Sequence, residues 1–416
     1  MFNYIRVLTY ALIFLLPAFS NLVEHGGSII YTLLVLFGIV AWLNRKTRPV
    51  FSKQEKIIMA AFAGYFLVCF IFFLGYGLLS EQITLDWDLD HEIRFLGFLP
   101  IYYLLIYWTG MKDWVFWYGL AAGAICSIGY AIWQAYIIQI GGRVAGPYYA
   151  IGFGDLALVY GFMTFSGLRY FYRRHPMLVI IPAIALGGGI LAAFLSGTLG
   201  AVLAVPALTV LFLIQLGGFS RPWRYRLITM IMIGVAVVVY YQMAGVPIPD
   251  RVHSEMKEAR MFFDGRQNEL KGEQAYRLRV WSEAISIYKE NPILGVGKDQ
   301  YKTRVHAKTR IDCSHLHNMF LEYLVIYGIF GLLLFAVNLV PLCMLVSVIS
   351  KTKAARVKDF AYAGLNLALG FTIFSMTECI FYRNIFISAY IILIAVIFAL
   401  IKQNEPETEA PLNTAK

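Results

Sequence analysis

Stretches of about 20 consecutive apolar residues recur along almost the whole chain, and this feature most constrains its fold. A helix of that length crosses the roughly 30 Å hydrocarbon core of a bilayer while satisfying its own backbone hydrogen bonds. The chain is 59% hydrophobic and only 14% charged, whereas soluble domains carry about 25% charged residues. The sequence therefore predicts an all-α polytopic membrane protein with about twelve transmembrane helices. They are expected at about 5–23, 28–43, 57–79, 94–110, 114–138, 150–168, 177–196, 199–217, 227–244, 318–348, 359–379 and 385–402.

The positive charges of the short loops predict the orientation of the chain. Lysine and arginine concentrate in alternate loops, and such loops face the cytoplasm. Both termini join that side, and the long segment before helix 10 faces the opposite side, which in a bacterium is the periplasm. We thus expect four regions: transmembrane helices 1–9 over 1–244, a partly helical periplasmic loop domain over 245–317, transmembrane helices 10–12 over 318–402, and a disordered cytoplasmic tail over 403–416.

The long segment 245–317 is large enough to form a small extramembrane domain. Its helical patches are Glu255–Phe263 and Tyr276–Glu290, and the second one is expected to end at Asn291-Pro292. The segment holds thirteen Lys/Arg against ten Asp/Glu. Long loops cross the membrane regardless of charge, so the excess can be incidental. The alternative is that it attracts a substrate carrying phosphate.

His317 and Asn318 lie where this charged segment runs into an apolar helix. An imidazole titrates near pH 6.5 and can accept a proton from a substrate hydroxyl. Asn318 could orient the imidazole or bind the substrate, and Glu322 could fix its tautomer if the helix begins before His317. The alternative is an ordinary interfacial histidine with a solvated edge. His317 is the first candidate for a general base.

Several side chains on the same side of the membrane are candidates for substrate binding. Arg277 and Trp281 are four residues apart, so they share a helix face, and a guanidinium fits phosphate oxygens. Arg279 and Arg143 are weaker candidates for anion binding. Asp155 could line a cavity or complement a helix dipole. An amphipathic helix with paired arginines remains the alternative for 277–281.

Motifs of several other protein classes are missing from the sequence. The five cysteines show neither CxxC nor zinc-ligand spacing. Neither a Walker A loop nor a GxGxxG segment after a strand occurs. We therefore expect no metal, no cofactor and no nucleic-acid partner.

Four stretches together resemble the O-antigen ligase family, within the O-antigen ligase/polymerase superfamily. His317-Asn318 followed by Gly328 and Gly331 is similar to its His-Asn…Gly-x-x-Gly pattern. The other three stretches are Arg277-Leu-Arg-Val-Trp281 with Asn-Pro-Ile-Leu-Gly-Val-Gly297, Arg143-Val-Ala-Gly146 with Ile151-Gly-Phe-Gly-Asp-Leu-Ala-Leu158, and Ser196-Gly-Thr-Leu-Gly-Ala201. The resemblance covers about 140–345.

The resemblance implies a metal-independent, inverting glycosyltransferase. Such an enzyme moves O-antigen polysaccharide from undecaprenyl diphosphate to lipid A–core, at the periplasmic face, in lipopolysaccharide biosynthesis. His317 would be the general base and Arg277 would neutralise the leaving diphosphate. An O-antigen polymerase or a protein O-oligosaccharyltransferase with the same donor is the nearest alternative. A non-enzymatic flippase or transporter of lipid-linked glycans is a further one.

One position departs from the family pattern. Members often carry arginine where this chain has Leu199, and the resemblance implies a phosphate contact there. Another residue, such as Arg143 or Arg279, would have to supply that contact.

Overall fold

The computed structural model describes residues 2–45, 49–80, 89–138, 143–147, 149–217, 257, 260–261 and 273–405. Helices follow one another through the first half of the chain. They are α1 (Phe2–Leu22), α2 (Gly26–Leu43), α3 (Lys53–Ser80), α4 (Asp90–Ile93), α5 (Phe98–Tyr103), α6 (Asp113–Ile132), α7 (Ala150–Ser166), α8 (Leu168–Arg174), α9 (Ile180–Ser196) and α10 (Leu199–Gln215). A 3₁₀ turn at Arg94–Gly97 and a wider turn at Leu104–Thr109 extend α5 at both ends.

The second half of the described chain is helical as well. Its helices are α11 (Glu273–Glu290), α12 (Lys298–Thr309), α13 (Met319–Tyr327), α14 (Ala336–Lys351), α15 (Ala355–Phe374) and α16 (Asn384–Asn404). The 3₁₀ segment Gly328–Phe335 joins α13 to α14. No strand occurs among the described residues.

Seven helices of the described chain are long and apolar enough to cross a membrane, or eight if α7 and α8, which meet at 51°, form one span. The prediction of an all-α polytopic membrane protein is therefore confirmed. Eleven of the twelve predicted spans coincide with helical segments. The ninth, 227–244, lies outside the described residues, so the count of twelve stays a prediction.

Helix α16 forms the centre of the bundle. Every residue from Ile385 to Ile401 is buried, and a helix that is apolar on all sides belongs in a core. Gly161 of α7 and Gly189 of α9 let these two helices pack closely. A methyl group at Gly161 would lie 2.8 Å from the Ala185 carbonyl oxygen, and one at Gly189 would lie 2.5 Å from that of Ala157. Small residues permit such contact between membrane helices.

The described part of the segment 245–317 contains α11 and α12. Helix α11 ends at Glu290, as Asn291-Pro292 predicts. The following loop then pairs with the end of α13, because Val296 and Gly297 donate to the carbonyls of Val325 and Ile326 at 2.9 and 3.1 Å. The loop thereby returns the chain towards His317. The patch Glu255–Phe263 lies almost wholly outside the described residues.

Glycine is required on both sides of this contact. Gly295 and Gly328 have φ of 72° and 61°, a backbone conformation that favours glycine. A side chain on Gly295 would also meet the Gly328 nitrogen at 2.6 Å. The Gly-x-Gly and Gly-x-x-Gly motifs are thus two halves of one close backbone approach.

The last helix extends slightly beyond its predicted end. Helix α16 continues to Asn404, and the Gln403 side chain accepts a hydrogen bond from the Met111 N–H at 2.8 Å. Residues 403 and 404, which the sequence assigned to a disordered tail, are therefore helical. Residues 406–416 of that tail lie outside the described residues.

Candidate functional site

His317 lies in the connection between α12 and α13 with an unusual backbone. Its φ is 51°, in the left-handed region that side chains rarely adopt. Two hydrogen bonds hold the backbone of the preceding residue, Leu316. Its N–H donates to Glu322 Oε2 at 2.7 Å, and its carbonyl accepts from Trp281 Nε1–H at 2.6 Å. Such strain persists only where the surroundings enforce it, and it is typical of functional positions.

The His317 side chain contacts a carboxylate and a second histidine. Glu378, from the connection between α15 and α16, places Oε2 3.1 Å from His317 Nδ1 and Oε1 2.9 Å from His315 Nε2. The Glu378 side chain is only 2% exposed, whereas that of His317 is 24% exposed. We call His315, His317 and Glu378 the His–Glu–His cluster. Its carboxylate is enclosed while one imidazole remains accessible.

The two imidazoles keep Glu378 ionised. Burial favours its neutral form, but hydrogen bonds from His315 and His317 outweigh burial and lower the pKa of Glu378. Burial would likewise lower the pKa of His315, yet the hydrogen bond and charge of Glu378 raise it above 6.5. The cluster therefore holds a carboxylate against a protonated His315.

This pairing predicts a pH dependence of stability. The stability contributed by Glu378 is complete above pH 4.5 and is lost as the pH falls through the lowered pKa of Glu378. The stability contributed by His315 is complete below pH 6.5 and is lost as the pH rises through the raised pKa of His315. The melting temperature of the wild type should exceed that of His315→Gln most between about pH 4.5 and 6.5. The difference should shrink towards pH 9. A difference that stays constant over this range would contradict the pairing.

The cluster has a ligand set that could hold a divalent cation. Its three donor atoms lie within 4.8 Å of one another, and imidazole and carboxylate are ligands of several metals. However, Arg383 Nη2 lies 3.4 Å from His315 Nε2. Since Nε2–H donates to Glu378, this is an approach of two cationic groups. The guanidinium disfavours a further cation, and the expected absence of a metal remains a prediction.

Arg277 reaches the same connection from α11. Its Nη1 donates to the Thr377 carbonyl at 3.3 Å, directly before Glu378 in the chain. The side chain is 7% exposed, so its charge lies in a poorly solvated place. The fork of Arg277 is therefore anchored beside the cluster, as a group that neutralises a leaving anion requires.

Arg143 and Asp155 come to the neighbouring turn between α9 and α10. Arg143 Nε donates to the Ser196 carbonyl at 2.7 Å, three residues before Leu199. Asp155 is fully buried. A methyl group at Gly200 would lie 3.4 Å from both Asp155 carboxyl oxygens and 2.7 Å from Thr377 Oγ1. The structure thus brings the motifs at 143, 155, 196–201, 277 and 317 to one end of the bundle.

Three of the candidates from the sequence, Glu322, Asn318 and Trp281, contact the loop around His317 and not its imidazole. Glu322 does not contact the imidazole: it is fully buried and binds Tyr301 Oη at 2.7 Å as well as the Leu316 N–H. The role expected of Glu322 is taken by Glu378, because α13 begins only at Met319 and turns Glu322 away. Asn318 caps that helix, accepting from the Leu321 N–H at 3.0 Å, and Trp281 holds Leu316. All three position the loop.

The remaining candidates keep their predicted roles as hypotheses. Arg279 is half-buried on α11. Asp155 is enclosed, and its carboxylate lies against the start of α10 near Gly200.

Sequence reasoning missed His315 and the pairing of Glu378. The spacing His-Leu-His was a usable signal, because alternate residues of an extended segment point to the same side. The acidic Glu378 in an otherwise apolar connection was another. Their meeting depends on the packing of α13 against the α15–α16 connection, where the Met319 N–H donates to the Ser375 carbonyl at 2.8 Å.

The fold and the site define a multi-pass membrane protein with a His–Glu–His cluster and arginines at one end of its bundle. Residues 182–336 match the family described as O-Antigen ligase. The match confirms the resemblance to this family seen in the sequence. A relative from Haemophilus influenzae (strain ATCC 51907 / DSM 11121 / KW20 / Rd) is 23% identical over 322 residues, covering 74% of this chain and 77% of its own. It is described as an uncharacterized protein.

Proposed function

We propose that the protein is an O-antigen ligase that transfers O-antigen polysaccharide from undecaprenyl diphosphate to lipid A–core at the periplasmic face of the inner membrane. The observation that carries the proposal is the accessible imidazole of His317 held against the buried carboxylate of Glu378. The family match over 182–336 supports the glycan-transfer class. Both the donor and the acceptor are implied by that family.

His317 acts as the general base in this proposal. In the neutral tautomer that donates its Nδ1–H to Glu378, the lone pair lies on Nε2, which has no hydrogen-bond partner among the described residues. Nε2 takes the proton of an acceptor sugar hydroxyl while the oxygen attacks the anomeric carbon of the donor. The bond from that carbon to the diphosphate oxygen breaks, and the diphosphate leaves with the electron pair. Direct attack inverts the anomeric configuration.

Arginines stabilise the leaving diphosphate. Arg277 is already desolvated, and a charge in a poorly solvated place stabilises developing negative charge more strongly than one in water. Arg143, fixed to the Ser196 carbonyl, supplies the phosphate contact that Leu199 cannot. Arg279 is a further candidate for binding the same anion.

The decisive experiment is transfer by the purified protein between a lipid-linked glycan and lipid A–core. We expect a product with inverted anomeric configuration, formed at the same rate with and without a chelator. A donor that is instead extended by a second donor-linked glycan would identify a polymerase. Glycan found on a protein acceptor would identify an oligosaccharyltransferase, and absence of any covalent product would favour a transporter.

Glu378 is a positioning residue in this scheme. Glu378→Gln keeps the shape of the side chain but removes the charge that orients both imidazoles. The turnover number should fall by up to about 10²-fold, because a misplaced base loses alignment, while KM for the donor stays unchanged. Steady-state kinetics over a donor series separate the two. A variant with raised KM and unchanged turnover would assign Glu378 to substrate binding instead.

A further inference from the structure

The opposite end of the bundle carries a basic cavity of about 510 Å³. Helices α7, α15 and α16 run from the His–Glu–His cluster to this cavity. Since α15 has 20 residues, the two sites lie roughly 30 Å apart, about the thickness of a bilayer core. On the predicted topology the cavity therefore faces the cytoplasm.

Five basic side chains line this cavity together with two carboxylates. The basic residues are Lys112, Arg169, Arg173, Arg174 and Arg356. Asp113 binds Arg356, and Asp359 lies 3.8 Å from Arg169. Both carboxylates are nearly buried, so they hold the guanidinium groups of Arg356 and Arg169 in place. Five basic side chains against two carboxylates leave an excess of three positive charges among the described lining residues, which suits an anion.

Basic residues are expected on the cytoplasmic side of any such protein, but that rule does not explain their convergence. They come from three separate parts of the chain: the start of α6, helix α8 and the start of α15. Lys351 and Lys353 lie on the same predicted side of the membrane, but neither residue lines the cavity. The clustering is thus a property of the fold.

Aromatic side chains place the cavity at the depth of lipid headgroups. Trp114 lines it and is 44% exposed, and exposed tryptophans concentrate at the membrane–water interface. Tyr170 lines it as well and stacks under the Arg174 guanidinium at 4.4 Å.

We propose that this cavity binds a phosphate-bearing anion, presented as the headgroup of an anionic membrane lipid. Guanidinium forks match phosphate oxygens, and basic pockets between transmembrane helices on the cytoplasmic side bind such headgroups. The bound lipid ties together α6, α8 and α15. This site is independent of the proposed glycan transfer.

The test compares two charge-matched double variants of the full-length protein. Lys112→Gln/Arg173→Gln removes two exposed cations from the cavity, and Lys351→Gln/Lys353→Gln removes two from the same face outside it. Binding of phosphatidylglycerol is measured by native mass spectrometry and by the shift in melting temperature. We expect the cavity variant to bind roughly thirtyfold more weakly and the control pair to bind as the wild type does.

Three outcomes would overturn the proposal. Equal weakening in both double variants would assign the effect to general surface charge. Unchanged phosphatidylglycerol binding in the cavity variant would show that the cavity is not the site. If inorganic phosphate alone reproduces the thermal shift of the wild type and phosphatidylglycerol adds nothing, then the ligand is a soluble phosphate and the lipid assignment fails.

Discussion

His317→Ala is expected to lower the rate of glycan transfer by about 10²–10⁴-fold, the usual contribution of a general base, in a protein that still folds. The imidazole touches Glu378 and is otherwise partly exposed, so its removal leaves no cavity in the hydrophobic core. The initial rate of transfer by purified protein from a lipid-linked glycan to lipid A–core measures the effect. The melting temperature of the variant checks that it is folded.

The backbone of His317 provides a sharper version of the experiment. Its φ of 51° is costly for alanine but is tolerated by asparagine, so His317→Asn separates loss of the base from backbone strain. His306→Asn is the matched control, since His306 pairs with Asp312 outside the cluster. Near-normal transfer by both His317 variants would contradict the proposed base.

The helical class of the fold was predictable because membrane spans depend on local composition. Each span must bury its own backbone polar groups, so runs of apolar residues mark the helices without any knowledge of their neighbours. What composition could not give was their packing. Gly189, for example, is where α9 meets the Ala157 carbonyl of α7. Such contacts depend on two distant segments.

The site was predictable in its parts but not in its pairings. Sequence pattern identified His317, Arg277 and Arg143, and the fold brings these residues to one end of the bundle. For the partner of His317 the sequence pattern offered Glu322, on the condition that the helix began before His317, whereas the contact belongs to Glu378, 61 residues away. Local spacing predicts neighbours within one helix. It carries no information on which loops of different helices meet.

The turn before Leu199 already holds a guanidinium from another segment of the chain. Leu199 begins α10 directly after the turn 196–198. Arg143 donates to the Ser196 carbonyl of that turn. The guanidinium is therefore present at the turn although position 199 is apolar, and Arg143 can serve the leaving diphosphate together with Arg277.

Arg277→Gln is expected to lower the turnover number by about 10²–10³-fold, the range found when one donor to a developing anion is removed. Glutamine carries no charge for the diphosphate, and its shorter side chain also loses the contact with the Thr377 carbonyl, so the melting temperature of the variant is measured beside its rate. Arg277→Lys should recover part of the rate, because an ammonium restores charge without the bidentate fork. Lys289→Gln, an exposed position on the same helix, is the control.

Donors with a single phosphate test whether Arg277 acts on the diphosphate. If it does, substitution of Arg277 should lower the turnover number less with these donors than with the natural donor. An equal loss for both donors, accompanied by a lower melting temperature, would make Arg277 a structural residue.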